Sequence, residues 1–88
     1  MNQFIENDKI ITRPNIDLVA TGKKIQSLRE TKGWSVKEFA NFLELEAVQG
    51  IYHWQYGKNL PQIENLLILS ELFDMPIKEL LVFKPTSA

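Results

Sequence analysis

The chain has 88 residues, of which 44% are hydrophobic and 24% charged, and its formal net charge is −1. This length allows one small domain, and no apolar run reaches the roughly 18 residues that a membrane-spanning helix needs. The lack of cysteine excludes disulfides, thiolate nucleophiles and cysteine zinc sites, and a single histidine, His53, leaves no pair for a histidine metal site. The composition therefore predicts neither an enzyme nor a metal site, and we expect no cofactor.

Residues 1–16 are expected to form an N-terminal arm, followed by a helical domain over 17–83 and a tail over 84–88. The first nine residues are polar and acidic, so we expect no secretory signal. Ile5, Ile10 and Ile11 are apolar, but the segment is too short and broken to predict an element. It is either a disordered arm or a strand that pairs with a partner chain, and the sequence leaves both open.

After residue 16, apolar residues recur at spacings of three and four, which predicts helices. The first helix is expected to start between Asp17 and Thr21, because either residue can cap it. Ile25 lies on its buried face, and Gly33 is expected to end it because glycine adopts a left-handed backbone at least cost.

The second helix carries the clearest start signal. Ser35 and Glu38 are spaced as a capping box, in which each side chain accepts a hydrogen bond from the other residue's backbone N–H. Trp34 and Phe39 occupy the two positions of a hydrophobic staple around the same boundary. The helix is expected to run to about Leu43.

Three more helices are predicted towards the carboxyl end. The third spans about Ala47 to Tyr56 and is ended by Gly57, and the fourth spans roughly Gln62 to Phe73. Residues 74–76 break the fourth helix, and a short last helix is expected over 77–82. The pattern predicts an all-α domain of five helices.

The third helix has an apolar side and a polar-aromatic side when placed on a helical wheel. Ala47, Val48 and Trp54 lie within about 60° of Ile51, and we expect this side to face the core. The four residues on the opposite side are Gln49, Tyr52, His53 and Tyr56.

The polar-aromatic side has groups that nucleic-acid recognition uses. A glutamine such as Gln49 offers the donor and acceptor that match adenine N6 and N7 in the major groove. Tyrosine hydroxyls and a histidine N–H can bind phosphates or base edges, and Lys58 follows the helix end where a phosphate would lie. The same two tyrosines would also suit a protein contact, since tyrosine is enriched at interfaces.

An ordered set of motifs extends over about residues 21 to 82. The matching segments are Thr21-Gly22-Lys23-Lys24-Ile25-x-x-Leu28-Arg29, Lys32-Gly33-Trp34-Ser35-x-x-Glu38-Phe39-Ala40, Ile51-Tyr52-x-Trp54-x-x-Gly57-Lys58-x-x-Pro61, Asn65-Leu66-Leu67-x-Leu69-Ser70-x-Leu72-Phe73 and Ile77-Lys78-Glu79-Leu80-Leu81. Together they resemble the lambda-repressor-like (XRE, Cro/repressor-type) helix-turn-helix family. The resemblance implies a five-helix domain whose third helix enters the major groove of DNA.

Carried over by position, the resemblance implies two sets of site residues. The base-reading residues would be Val48, Gln49, Tyr52 and His53. The residues on the DNA backbone would be Lys37, Tyr56 and Lys58. Two departures from the family stand out: Val36 replaces a glutamine that often contacts phosphate, and the connection over 44–46 is one residue longer.

The resemblance implies a sequence-specific transcriptional regulator, more in keeping with a repressor than an activator, located in the cytoplasm at the nucleoid. Its partner would be double-stranded DNA, bound by a homodimer at half-sites about 34 Å apart, with no membrane or small-molecule ligand evident. Either the apolar C-terminal helix or the N-terminal arm would supply the contact between the two copies. The alternative is a protein-interaction module, such as an antitoxin-like or anti-repressor component, that keeps the fold with weak or no DNA binding. The net charge, Val36 and the tyrosine face suit that alternative.

Overall fold

The structure is a computed structural model that describes residues 3–85, with side chains from residue 5. Its elements are β1 (Gln3–Glu6), β2 (Lys9–Thr12), α1 (Leu18–Thr31), α2 (Val36–Phe42), α3 (Gln49–Gln55), α4 (Ile63–Phe73) and α5 (Ile77–Leu80). The predicted five-helix fold is confirmed, with a two-stranded hairpin ahead of it. The ends of the predicted arm and tail, residues 1–2 and 86–88, lie outside the described residues.

The start of α2 forms as the sequence predicts. The Glu38 backbone N–H donates to Ser35 Oγ at 3.0 Å, and the Ser35 N–H donates to Glu38 Oε1 at 2.9 Å. The hydrogen bond from the Ser35 backbone N–H to the Glu38 carboxylate, followed by the interaction of that carboxylate with the Ser35 side chain, lowers the pKa of Glu38 from its usual value. The staple is present too, since the Trp34 and Phe39 rings stack with centroids 6.3 Å apart. Local side-chain bonds thus fix where α2 begins.

The core takes one fully buried apolar side chain from every helix. These residues are Ile25, Phe39, Ile51, Leu69 and Leu80, in order from α1 to α5. Each has lost its whole accessible surface, and burying such a side chain contributes about 1.5–3 kcal/mol. The core therefore joins all five helices and fixes the position of α3.

Two helix boundaries differ from the prediction. The third helix begins at Gln49 rather than at Ala47, with Val48 as a residue before the helix whose side chain makes no capping bond. Ala47 and Val48 are exposed, so the prediction that they face the core is wrong: the wheel does not apply to residues outside the helix. The last helix ends at Leu80 instead of continuing to Val82.

Within the predicted arm, residues 3–12 form a hairpin. β1 and β2 pair with each other, antiparallel, with Glu6 opposite Lys9 and Ile5 opposite Ile10. Asn7 and Asp8 join them with positive φ angles of 49° and 62°, the backbone of a two-residue type I′ turn. The hairpin follows from this turn.

The C-terminal segment closes the domain against the start of α1. The Asp17 N–H donates to the Val82 carbonyl at 2.8 Å, and the Val82 N–H donates to Thr21 Oγ1 at 2.9 Å. One step further out, the Lys84 N–H donates to the Asn15 carbonyl at 2.7 Å. The two ends of the helical domain therefore lie side by side.

The contact between α1 and α3 is close enough that only glycine fits. A Cβ placed on Gly22 would lie 1.8 Å from the backbone oxygen of Trp54. Gly50 differs, because a Cβ there would meet only Leu45 Cδ1, at 3.9 Å. The close backbone approach of α1 to α3 therefore depends on Gly22, and Gly50 allows no comparable contact.

These two glycines should respond to alanine in opposite directions. We expect Gly22→Ala to lower the free energy of unfolding by about 3 kcal/mol or more, because the clash is with backbone that cannot turn away. Gly50→Ala should raise it by about 0.5–1 kcal/mol, the usual gain for alanine in a helix. Urea unfolding followed by circular dichroism measures both, and equal losses would contradict this account of the packing.

Candidate nucleic-acid interface

The polar-aromatic side of α3 is exposed, as the sequence predicts. Gln49, Tyr52 and Tyr56 are exposed, and His53 is half-buried. Val48 is exposed as well, at the end of the connection that precedes α3. These five residues are therefore at least partly accessible to solvent, along α3 and at the cap residue on either side of it.

The two tyrosines on this side contact each other. Tyr52 and Tyr56 lie one turn apart, and their rings stack with centroids 6.1 Å apart and planes inclined by 17°. Stacking of aromatic pairs is worth about 0.5–1.5 kcal/mol and restricts both rings. The pair therefore presents a pre-ordered aromatic surface with two hydroxyls.

The carboxyl end of α3 determines where Lys58 lies. The Gly57 N–H donates to the Trp54 carbonyl at 3.0 Å, and the Lys58 N–H donates to the His53 carbonyl at 2.9 Å. These are the two bonds of a Schellman cap, which needs a left-handed residue between helix and exit; Gly57 has φ 74°. The cap places the backbone of Lys58 directly beyond the polar-aromatic side, with its side chain exposed.

The charges around α3 are mixed in sign. Lys37 is exposed in the first turn of α2, and Lys58 is exposed after α3. Glu44 and Glu46, in the connection between α2 and α3, are exposed too. Exposed charges are screened within about 10 Å at 0.1 M salt, so the two acids would weaken polyanion binding mainly near the start of α3.

A buried polar contact holds the back of α3. Arg29 and Gln55 are each only 8% exposed, and the Arg29 Nε donates to Gln55 Oε1 at 3.3 Å. The same guanidinium donates to the Trp34 carbonyl at 2.7 Å, just before α2. Arg29 thereby connects α1 with α3 and with the approach to α2.

Sequence reasoning missed this contact, although one signal was present. Gln55 lies about 40° from Ile51 on the helical wheel, which makes it a polar residue on the apolar side of α3. Such a residue needs a buried partner. The wheel does not say which residue that partner is, because Arg29 is 26 positions away in the sequence.

Other kinds of site find no support in the described part of the chain. Within residues 3–85 no group of histidine and acidic side chains could hold a metal ion. Nor does any helix in this range have the length and apolar character needed to cross a membrane.

Two short helices, α2 and α3, are joined by a connection within the five-helix domain, and α3 has an exposed polar side. This arrangement defines a helix-turn-helix protein. The family described as Helix-turn-helix matches residues 25–80, and the chain belongs to that family. The resemblance noted from the motifs is thereby confirmed. The expectation that the chain is not an enzyme agrees with it.

One similar sequence is from Pyrococcus horikoshii and is described as an HTH-type transcriptional regulatory protein. It is 34% identical over 56 residues, which cover 64% of this chain. The match covers 18% of that relative, so the chain spans about a fifth of the length of the curated protein it matches.

Three solved structures share the fold. The restriction-modification controller protein C.AhdI from Aeromonas hydrophila is 28% identical, with a TM-score of 0.63, covering 73% of this chain and 96% of that one. A transcriptional regulator from Listeria innocua is 20% identical, with a TM-score of 0.66 and coverage of 77% and 63%. The BldD DNA-binding domain of S. venezulae is 18% identical, with a TM-score of 0.60 and coverage of 75% and 97%.

The two glutamines of α3 should separate stability from surface function. Gln55→Ala removes the acceptor of the buried Arg29 Nε, and we expect a loss of about 1–3 kcal/mol in the free energy of unfolding. Gln49→Ala, the same change on the exposed side, should stay within about 0.5 kcal/mol. Thermal or urea unfolding measures both, and similar losses at the two positions would show that the Arg29 contact adds nothing.

Proposed function

We propose that the protein is a DNA-binding transcriptional regulator that inserts α3 into the major groove. The observation that carries the proposal is the exposed polar-aromatic side of α3, held on the outside of the domain by Gly22 and Arg29 behind it. Membership of the helix-turn-helix family supports it, as do relatives described as a transcriptional regulatory protein and a restriction-modification controller.

We propose the same contact residues that the family resemblance implies. The proposed base-reading residues are Val48, Gln49, Tyr52 and His53. The proposed contacts to the DNA backbone are Lys37, Tyr56 and Lys58. Gln49 is in the first turn of α3, the part of a recognition helix that approaches base edges in this motif. Lys58 lies past the opposite end, where the strand of phosphates beside the groove would run.

We further propose that the protein acts as a homodimer and represses by occupying its site. A single domain presents one α3, which spans one half-site, and a chain of net charge −1 gains little from general attraction to phosphates. Two copies on half-sites about 34 Å apart would double the specific contacts without needing a basic surface. Occupancy of a promoter by such a dimer excludes polymerase without any covalent chemistry.

Selection of bound duplexes from a random library tests the proposal directly. We expect an enriched, two-fold symmetric sequence with half-sites separated by one helical turn. Absence of any enrichment, together with no binding to random duplex at low salt, would contradict DNA binding. That outcome would favour the interaction module, for which the acidic Glu44 and Glu46 beside α3 and the stacked tyrosines are the supporting observations.

Gln49→Ala should alter specificity. We expect a loss of about 1–3 kcal/mol on the selected sequence, since a bidentate amide contact to adenine is worth that much, and relaxed preference at one base pair. Fluorescence anisotropy on the selected duplex and on each single-base variant measures both. Equal weakening on every sequence would show that Gln49 contacts no base.

Lys58→Ala should instead weaken binding uniformly across sequences. If Lys58 neutralises one phosphate, the slope of log affinity against log salt falls in magnitude by about one. Lys78→Ala is the control, because Lys78 is also an exposed lysine but belongs to α5, which packs on α1 and α4. A salt titration that gives the same slope for wild type and Lys58→Ala would rule out the phosphate contact.

A further inference from the structure

The N-terminal hairpin has an open edge along β2. Glu6 and Lys9 flank the two-residue turn, so they exchange the hydrogen bonds that close it. Paired residues of an antiparallel ladder alternate between exchanging bonds and not doing so, which leaves Ile10 and Thr12 with N–H and C=O groups directed away from β1. Among the residues that the structure describes, β2 therefore directs the backbone donors and acceptors of these two residues outward, where another strand could pair with them.

The hairpin is also apolar and uncovered. Every side chain from Ile5 to Asn15 is exposed, and Ile5 and Ile10, which face each other across the strands, are 72% and 67% exposed. A two-stranded hairpin alone is marginally stable in water, and an open edge of this kind is a template for pairing with another strand. Both features point to a further strand.

We propose that β2 pairs antiparallel with β2 of a second copy of this chain, giving a four-stranded sheet in the order β1, β2, β2 and β1. Pairing of the two β2 strands would supply the dimer contact of the proposed regulator, and its biological role rests on that proposed function. The pairing itself forms without DNA.

Charge selects both the partner and the register. Antiparallel strands related by a two-fold axis must pair one residue with itself, which here means Ile10 or Ile11. Centring on Ile11 would set Lys9 opposite Arg13 of the second copy, and like charges directly opposite are destabilising. Centring on Ile10 sets Lys9 opposite Ile11 and Asp8 opposite Thr12, so that the acidic turn of each hairpin adjoins Arg13 of the other copy.

The same register also satisfies the backbone. Ile10 is one of the residues whose N–H and C=O point outward, so two copies of it can exchange both bonds across the axis. An edge formed by β1 has no such charge match: β1 contains Glu6 and no basic residue. The β2 edge and a second copy of the chain are therefore the combination that these residues favour.

Disulfide trapping tests the register. Because the chain has no cysteine of its own, an introduced cysteine is the only thiol that can form a disulfide. Ile10→Cys places two thiols opposite each other with Cα atoms about 5.5 Å apart, within disulfide range. Ile5→Cys is the matched control, equally exposed on the same face but three strand spacings, about 14 Å, from its counterpart. With mild oxidant and no DNA, we expect Ile10→Cys to cross-link at least tenfold faster. Equal rates, or no cross-linked dimer in either, would overturn the proposal.

Sedimentation equilibrium with proline variants tests the edge without a cross-link. Ile10→Pro removes an outward N–H of β2 while leaving the bonds between β1 and β2, as proline on an open edge does. Ile5→Pro does the same to the β1 edge. We expect Ile10→Pro to raise the dimer Kd at least tenfold and Ile5→Pro to leave it near the wild-type value, with the helical circular dichroism of both unchanged.

The other results would overturn the pairing. These are a wild-type chain that stays monomeric at all concentrations, a dimer that survives Ile10→Pro, and a dimer that is lost in Ile63→Asp instead. Ile63 and Leu67 form an exposed apolar stripe on α4 and are the competing surface. Failure of the DNA selection would leave all these results intact, so the two proposals fail separately.

Discussion

The contact of Gly22 with the Trp54 carbonyl determines how the rest of the domain is arranged. It brings the backbone of α1 against the backbone of α3, closer than any side chain would permit. Gly57 repeats the arrangement at the end of α3, where a Cβ would lie 2.7 Å from Val19 Cγ2. With α1 clamped along its back, α3 has one side free for solvent, and that side carries Gln49, Tyr52 and Tyr56.

The two sides of α3 have different roles, because the inner side packs against the domain and the outer side is exposed to solvent. Ile51, Trp54 and Gln55 on the inner side are buried, and the Arg29 guanidinium reaches Gln55 from α1. The nearest carboxylate to Arg29 is that of Glu30, 3.7 Å away and largely in water, where an ion pair contributes little. The neutral amide of Gln55 is therefore an important buried partner of the Arg29 guanidinium. Substitutions on the outer side of α3 can be made without disturbing this contact.

Local signals in the sequence predicted the parts of the fold that local chemistry determines. The capping box at Ser35 and the glycine stops at Gly33 and Gly57 each involve residues a few positions apart, and the structure has them. The start of α3 lies two residues later than predicted, because Val48 makes no side-chain cap and no local signal marks the boundary.

Two other features depend on more than the helical periodicity of apolar residues. Gln55 needs Arg29, a partner distant in the sequence, and its burial follows from packing rather than periodicity. The hairpin depends on Asn7 and Asp8 both adopting a left-handed backbone, and the signal for it is this pair of turn-forming residues between two apolar pairs, which helical periodicity does not detect. The candidate site was predicted as a surface. Which of its side chains meets a base depends on the docking angle, and that is a property of the complex.

The hydrogen bonds that tie Val82 and Lys84 to the start of α1 have a practical consequence for engineering. Because the helical unit begins and finishes at neighbouring points, its entry and exit would fit into one surface loop of a host protein without pulling that loop apart. For the same reason, a short linker across the gap would allow circular permutation, with new termini opened in an exposed connection. The closeness of its two ends therefore favours moving the helical unit into another protein as one piece.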